Sequence, residues 1–139
     1  MPLSAYVEVL LTTAHARTDP ANIVLDTEYG DVTPDASTRE RAIELAREIL
    51  VAMPDDATRR TFVPRFDACG NGDIDLVWEP KWVLLVAVHR GADGEVEFYG
   101  QVPTGASIEG KQGRDAPVSF LATWLVERRR EAEQRAQAR

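Results

Sequence analysis

The sequence predicts an α+β fold, in which an antiparallel meander of three to four strands is packed by two main helices. Residues 73–99 hold three β-prone segments separated by two turn sequences, and residues 37–53 carry apolar side chains at helical spacing. A second helical pattern begins near Pro117. Strands joined by short turns pair antiparallel, and helices outside the run cover a face of the sheet. We therefore predict one α+β domain over 1–127 and a polar, charged helical extension over 128–139.

The N-terminal part of the chain is predicted to lead into a helix over residues 37–53. Residues 6–13 fit either a strand or a short helix, and residues 18–35 are typical of an acidic loop. The tetrapeptide 37–40 matches a capping box, in which the Ser37 hydroxyl accepts from the amide of residue 40 and Glu40 reaches back. One helix face is then apolar, formed by Ala42, Ile43, Ala46, Ile49, Leu50 and Met53. A polar loop is predicted after this helix ends.

The predicted meander is preceded by a candidate edge strand over 61–66, because Pro64 has no amide hydrogen to donate. The three strands proper are 73–78, 82–88 and 95–99, with alternating apolar positions. Alternation sends successive side chains to opposite faces. The apolar face comprises Ile74, Leu76, Trp78, Leu84, Val86, Val88, Val96 and Phe98.

The opposite face of the predicted sheet is mixed. The outer strands place Asp73, Asp75, Glu95, Glu97 and Tyr99 on it. The middle strand is apolar on this side too, with Val83, Leu85 and Ala87. A strand that is apolar on both sides predicts that its second face is also covered.

The C-terminal part is predicted to be a loop followed by a helix. Residues 100–117 contain repeated glycine and proline, which is typical of a mobile loop. Proline suits the first position of a helix, so the helix begins near Pro117. Its apolar stripe is formed by Val118, Leu121, Ala122 and Leu125. Beyond Val126 the stripe stops while helix propensity stays high, which predicts a helical extension in solvent.

Composition limits the classes of function. The net charge is −7, with 23 acidic and 16 basic residues, and a field of this sign repels nucleic acid and anionic membranes. No apolar run reaches the ~20 residues that a membrane span requires. The chain has a single cysteine, Cys69, and no secretory pattern, so we expect a reducing compartment and a cytoplasmic protein.

One motif fits a catalytic alternative, a small metal-dependent hydrolase or nuclease. Such enzymes can hold Mg²⁺ with an Asp on one strand and a Glu-x-Lys on the next. Glu79 and Lys81 have this spacing, and Asp67, Asp73 or Asp75 would supply the other carboxylate. The intervening proline favours a tight turn instead, since proline suits the second position of a turn.

The histidines and the cysteine suggest no second catalytic arrangement. His15 and His89 lie far from any other histidine or cysteine in sequence. Cys69 and His89 would form a nucleophile pair only if the fold joined them, and no third orienting group is apparent. We therefore predict no catalytic residue, no metal ligand and no cofactor.

Candidate binding residues are carboxylates beside tyrosines. The acidic loop 26–31 fails the spacing of a calcium-binding EF-hand. An aromatic side chain among carboxylates is instead typical of protein contact, here with a basic partner. The predicted binding residues are Glu28, Tyr29, Asp31, Glu95, Glu97 and Tyr99.

The arginine-rich C-terminus leaves nucleic-acid binding open as a second alternative. Arg128, Arg129 and Arg130 form a basic run. Glutamates interleave with this run, and cations near a helix C-terminus are favoured by the helix dipole. A solvated helix is therefore the preferred interpretation.

The combined pattern resembles a set of small uncharacterised bacterial α+β proteins. The matching features are the Tyr-Gly loop Glu28–Asp31, the helix Ala42–Met53, the Gly-x-Ile-x-Leu-x-Trp strand Gly72–Trp78 and the strand Glu97–Gly100. The resemblance implies association with bacterial defence or mobile-element genes, and the predicted partner is a basic effector or toxin. With the composition, it leads us to expect a non-enzymatic interaction module, accessory to or neutralising a partner protein.

Overall fold

The computed structural model describes residues 3–15, 34–68, 72–78, 84–89, 95–101, 107–112 and 117–138. An α+β fold with an antiparallel sheet is confirmed. The predicted count of three to four strands and two main helices is wrong, because the described residues form five strands and four helices. In chain order these are α1 (Leu3–His15), α2 (Ala36–Val51), α3 (Asp56–Thr61), β1 (Arg65–Ala68), β2 (Ile74–Trp78), β3 (Leu84–Val88), β4 (Val96–Gln101), β5 (Ser107–Gln112) and α4 (Val118–Ala138).

The sheet is an open meander in which each strand pairs antiparallel with its neighbours in sequence, in the order β1-β2-β3-β4-β5. An edge strand is present as β1, but the predicted bounds of 61–66 are wrong, because β1 begins at Arg65, after Pro64, and Thr61 belongs to α3. Pro64 thus precedes the strand rather than occupying a position in its ladder, as expected for a residue that cannot donate a backbone hydrogen bond.

Strand β5 corrects the prediction of a loop over 100–117. Residues 107–112 pair with β4 along its whole length, and Gly110 stands opposite Phe98. A Cβ at position 110 would lie 2.8 Å from Cε1 of Phe98 and closer still to Cζ. The glycine that suggested a loop therefore makes room for a phenylalanine ring.

The hydrophobic core lies between one face of the sheet and the helices. Alternate residues of the strands point into it, as the sequence pattern predicted. Helix α2 contributes one apolar face, and α1 and α4 pack against α2. The sheet contributes Phe66, Ile74, Leu76, Trp78, Leu84, Val86, Val88, Val96 and Phe98, and the helices contribute Val7, Leu11, Ala42, Ile43, Leu45, Ala46, Ile49, Leu50, Leu121, Ala122, Trp124 and Leu125.

The N-terminal cap of α2 is Asp35, not Ser37 as predicted. Oδ1 of Asp35 accepts hydrogen bonds from the backbone N–H and the hydroxyl of Thr38, both at 2.8 Å. Aspartate caps a helix as well as serine does. The carboxylate of Asp35 accepts from the amide three residues ahead, which is the spacing that was predicted for Ser37 and residue 40. The helix consequently begins at Ala36, and it ends at Val51 rather than at residue 53.

The polar stretch after α2 is also different from the prediction, because it forms the short helix α3. Asp55 caps it by accepting from the N–H of Thr58 at 2.8 Å. Arg59 in this helix is buried and donates through Nε to the carbonyl of Leu50 at 2.9 Å and through Nη2 to that of Met53. Arg59 therefore ties α3 to the C-terminal end of α2.

The two remaining helices lie at the ends of the described chain. Residues 6–13, which fitted strand or helix, belong to α1, where Val7 and Leu11 are buried. Helix α4 continues without interruption from the core into the arginine-rich segment. Across the described residues, no helix has the length and apolar character to cross a membrane.

Candidate functional site

The candidate site is the face of the sheet opposite the core, which we call the open face. None of the described helices packs on this face. The helices pack against the opposite side of the sheet, toward which the core residues of the strands point. The strand register arranges the open face in two rows across the sheet. The first row is Arg65, Val77, Leu85, Tyr99 and Glu109, and the second is Asp67, Asp75, Ala87, Glu97 and Lys111.

The centre of the open face is apolar and its margins are charged. Val77 is buried, and Leu85 and Ala87 are half-buried. No described element covers these positions, although apolar residues on both sides of β3 predicted a cover. On β1, Arg65 pairs with Asp67 at 3.0 Å, so this margin carries balanced charge. On the β4 and β5 side, Glu97 and Glu109 are exposed, and the register partner of Glu97 is Lys111.

A histidine links three strands at one end of the open face. His89 follows β3 directly, and its backbone N–H donates to the carbonyl of Glu95 at 3.0 Å, which extends the β3–β4 pairing by one residue. Nδ1 of His89 lies 2.7 Å from Oδ2 of Asp73, which is buried, and Nε2 lies 3.1 Å from Oε1 of Glu97. The second contact has the distance of an ion pair but not the alignment of a hydrogen bond. His89 is therefore held by Asp73 and attracted electrostatically by Glu97.

The charge state of His89 follows from these neighbours. Burial alone would lower the pKa of His89, but the hydrogen bond and the charge of Asp73, together with the nearby carboxylate of Glu97, outweigh it and raise the pKa above its ordinary value. The protonated ring partly neutralises the carboxylates around it. The acidity that this end of the open face presents to a ligand therefore depends on the protonation of His89.

A wide depression of about 620 Å³ lies on the open face beside this histidine. Its lining includes Leu85 and Ala87 of β3, Glu97 and Tyr99 of β4, and Glu109 of β5. The hydroxyl of Tyr99 donates to Oε1 of Gln101 at 2.5 Å. An apolar floor with an aromatic and acidic rim suits a ligand that carries both an apolar part and a positive charge.

Half of the predicted binding residues meet on this face. Glu97 and Tyr99 are exposed, with 48% of the Glu97 side chain and 42% of Tyr99 accessible, and Glu95 is half-buried beside His89. The other predicted residues, Glu28, Tyr29 and Asp31, lie outside the described part of the chain.

Sequence reasoning missed two members of the site. It placed Asp73 on this face but did not connect it with His89. Extending the alternation one residue past β3 would have put His89 on the same face, because residues 85, 87 and 89 share a side. Glu109 was missed because β5 was not recognised.

Among the residues of the metal-dependent alternative, Asp67 and Asp75 are register partners on β1 and β2. Asp67 pairs with Arg65, and Asp73 holds His89. Glu79 and Lys81 are not among the described residues, and neither is Cys69. Within the described ranges, no group of three or more His, Cys, Asp or Glu side chains is arranged to hold a metal ion.

Arg128 and Arg129 of the arginine run form contacts within α4. Arg128 lies over the ring of Trp124, at 5.7 Å from its centroid, and pairs with Glu131 at 3.0 Å. Arg129 pairs with Glu133 at 3.2 Å. Arg130 is exposed. Much of the positive charge of this segment is thus balanced locally.

Comparison with protein-family models, curated proteins and solved structures finds no significant match to this chain. The resemblance to small bacterial α+β proteins stays a prediction.

Proposed function

We propose that this protein is a non-enzymatic interaction module that binds a basic partner protein through its open face. The observation that carries the proposal is a sheet face with a half-buried apolar centre, a carboxylate rim and no described helix packed on it. Apolar centres surrounded by polar rims are the usual anatomy of protein interfaces.

The charge of the molecule supports a basic partner. The net charge is −7, and Glu97 and Glu109 rim the depression. Complementary charge raises association rates and selects partners, and it is weakened by salt. The role of an accessory or neutralising partner in a bacterial defence, toxin or mobile-element system rests on the resemblance together with the acidic composition, and we propose it on that basis.

The two alternatives have less support. Metal-dependent hydrolysis would need a carboxylate cluster, and Asp67 and Asp73 already have basic partners in Arg65 and His89. Nucleic-acid binding through the C-terminal arginines would have to overcome the ion pairs within α4 and the negative charge of the whole molecule.

Affinity capture followed by measurement with the purified partner tests the proposal. A tagged chain is used to isolate binding proteins from its native cells, and the affinity of each purified candidate is measured by titration calorimetry. The double variant Tyr99→Ala/Glu109→Lys changes the rim of the open face, and both residues are exposed. Glu40→Lys makes the same charge change as Glu109→Lys, but at an exposed residue of α2 on the helix side of the sheet.

We expect the double variant to weaken the partner about tenfold or more, because interface affinity concentrates in aromatic and charged anchors. Glu40→Lys should bind as the parent chain does. A partner that binds both variants equally contradicts the assignment to the open face, and failure to isolate any direct binder contradicts the proposal itself.

A further inference from the structure

We propose that two copies of this chain pair antiparallel through strand β5, with Gly110 of each copy on the two-fold axis. The two sheets then form one continuous sheet, with both open faces on the same side. The inference goes beyond the proposed function and does not depend on it, because a second copy is the partner. Three features of β5 support it: its position in the sheet, the direction of its backbone groups and the order of its charges.

Strand β5 lies at one edge of the sheet, and among the described strands it pairs with β4 alone. It has six residues, whereas β1 at the opposite edge has four. Helix α1 contacts β1, and Arg65 and Asp67 on that strand pair with each other. An edge strand presents a row of backbone donors and acceptors to a further strand. Of the two edges, β5 is therefore better suited to strand addition.

The hydrogen bonds of the neighbouring strands show which backbone groups of β5 point away from β4. The N–H of His89 donates to the carbonyl of Glu95, so these residues form a hydrogen-bonded pair between β3 and β4. Hydrogen-bonded and non-hydrogen-bonded pairs alternate along an antiparallel ladder. Odd-numbered residues of β4 therefore bond to β3, and even-numbered residues bond to β5. In the β4–β5 register, Gly110 bonds toward β4, while Glu109 and Lys111 direct their backbone groups outward.

Charge selects one register for the pairing of two β5 strands. With Gly110 of each copy on the axis, Glu109 of one copy stands opposite Lys111 of the other, and symmetry repeats this pair. An axis at residue 109 or at residue 111 would instead place two glutamates or two lysines opposite each other. Opposite charges across a strand pair are stabilising, and like charges are destabilising. Charged residues discourage most strands from adding to an edge, but here they favour the same strand of a second copy.

This pairing does not require that Glu97 be free. Lys111 is the register partner of Glu97 on β4. In the continuous sheet, the position of Lys111 lies between Glu97 of its own chain and Glu109 of the second copy, so the charges alternate along the row. A lysine ammonium has three donors, so one lysine can serve carboxylates on both sides. Glu109, whose register partner within the chain is the uncharged Tyr99, gains a cation opposite it.

The glycine at position 110 suits the axis. In this register the axial pair is non-hydrogen-bonded, and such a pair brings its two Cα atoms to about 4.5 Å. The ring of Phe98 occupies the space that a Cβ at position 110 would take. The Phe98 rings of the two copies therefore come close over the axis, on the core side of the sheet. Phe120 lies beside Phe98, with 6.3 Å between ring centroids, and is exposed, so the apolar surface on this side continues to Phe120.

Sedimentation equilibrium of the purified full chain at low salt tests the inference. Between about 10 μM and 1 mM protein, we expect a reversible monomer–dimer equilibrium with a Kd of about 100 μM, since one strand pair makes a small interface. Glu109→Lys should weaken the dimer about tenfold or more, because it places lysines opposite lysines. It does so although it lowers the net negative charge, and with it the general repulsion between copies. Glu40→Lys makes the same charge change at an exposed residue of α2 and should dimerise at least as tightly as the parent chain.

A mixture of two charge-reversed variants provides the complementary measurement. The Glu109→Lys chain has lysine at both positions, and the Lys111→Glu chain has glutamate at both. Each variant alone opposes like charges, whereas the mixture opposes unlike charges in both pairs. We expect the equimolar mixture to dimerise about tenfold more tightly than either variant alone. Because Lys111→Glu also places a glutamate opposite Glu97, NMR spectra of each variant report whether it is folded.

The register is read from NMR of a mixture of labelled and unlabelled parent chain. An isotope-filtered NOE between the Cα protons of Gly110 in the two copies is expected from the close axial pair. A parent chain that stays monomeric at about 1 mM, a Glu109→Lys dimer as tight as the parent dimer, or a dimer without this NOE overturns the inference. If Lys111→Glu does not fold, Glu109→Lys and the NOE decide. A negative result leaves the proposed function standing, since that function is measured with a different protein as the partner.

Discussion

Replacing Arg59 by methionine should destabilise the fold strongly, although Arg59 is far from the candidate site. Arg59 is 8% exposed, and its guanidinium donates to the carbonyls of Leu50 and Met53 at the C-terminal end of α2. It also pairs with Asp56, whose side chain is 55% exposed. Methionine keeps much of the apolar stem and removes all the donors.

The magnitude follows from the two carbonyls. A buried polar group that loses its partner costs about 1–3 kcal/mol, and the half-exposed pair with Asp56 adds little. We therefore expect a loss of about 3 kcal/mol in the free energy of unfolding. With a urea m-value of about 2 kcal/mol/M, the unfolding midpoint falls by about 1.5 M.

Urea unfolding followed by tryptophan fluorescence measures this change. Trp78 is a suitable reporter, because it is buried and its Nε1 donates to the carbonyl of Phe62 at 2.6 Å. Arg60→Met is the matched control, since Arg60 is exposed and its Nε donates to the hydroxyl of Tyr6. Its midpoint should stay close to that of the parent chain. A loss below about 1 kcal/mol for Arg59→Met would show that the α2 carbonyls find other partners, and the role assigned to Arg59 would be refuted.

Three further substitutions have defined outcomes in urea unfolding. Folding raises the pKa of His89 above its ordinary value of 6.5. The ion pair of His89 with Asp73 therefore stabilises the fold fully below pH 6.5, and this stabilisation is lost as the pH rises through the pKa that His89 has in the folded protein. His89→Gln should therefore cost about 1 kcal/mol near pH 5.5 and less near pH 9. Gly110→Ala forces the ring of Phe98 to move and should cost about 1–3 kcal/mol. Asp35→Ala removes the cap of α2 and should cost about 1 kcal/mol.

Each of these substitutions has a control or a contrary result. A cost for His89→Gln that is the same at both pH values contradicts the ionic role of His89. Phe98→Leu introduced with Gly110→Ala should recover part of the loss, so strict additivity of the two changes counts against a clash between them. Ser37→Ala should have a much smaller effect than Asp35→Ala, and the reverse order would restore the capping box predicted from sequence.

The central strands were predictable because their information is local. The alternation of apolar residues over 74–78 and 84–88 fixes which side chains face the core. A shift of the strand pairing by one residue would turn all of these apolar side chains to the opposite face. The same alternation placed Glu97 and Tyr99 together on the opposite face. The alternation of strand residues was therefore sufficient to place Glu97 and Tyr99 in the candidate site.

The elements that were missed depend on distant contacts. The glycine at position 110 is explained by the ring of Phe98 on the neighbouring strand, and sequence composition alone made it a loop signal. Helix α3 has only six residues, too few to show a helical period, and its buried member Arg59 bonds to carbonyls of the preceding helix. Neither contact is visible in a short sequence window.

The histidine of the site was missed for the same reason. Asp73 and His89 are 16 residues apart and meet only because β2 and β3 pair with Ile74 opposite Val88. Sequence spacing alone does not give this register. A site built from adjacent strands can be predicted by extending the strand pairing past the last hydrogen-bonded pair and asking which polar side chains meet there.

The order of the strands has a consequence for how the chain acquires its structure. In the described part of the chain, each strand pairs with the strands next to it in sequence, so the hairpins require short chain closures and can form early. The packing of α4 on α2 joins segments far apart in sequence and buries Leu121 and Leu125. We expect docking of α4 to be the slow, late event, and until it occurs the apolar surface of α2 is available for aggregation or for chaperones.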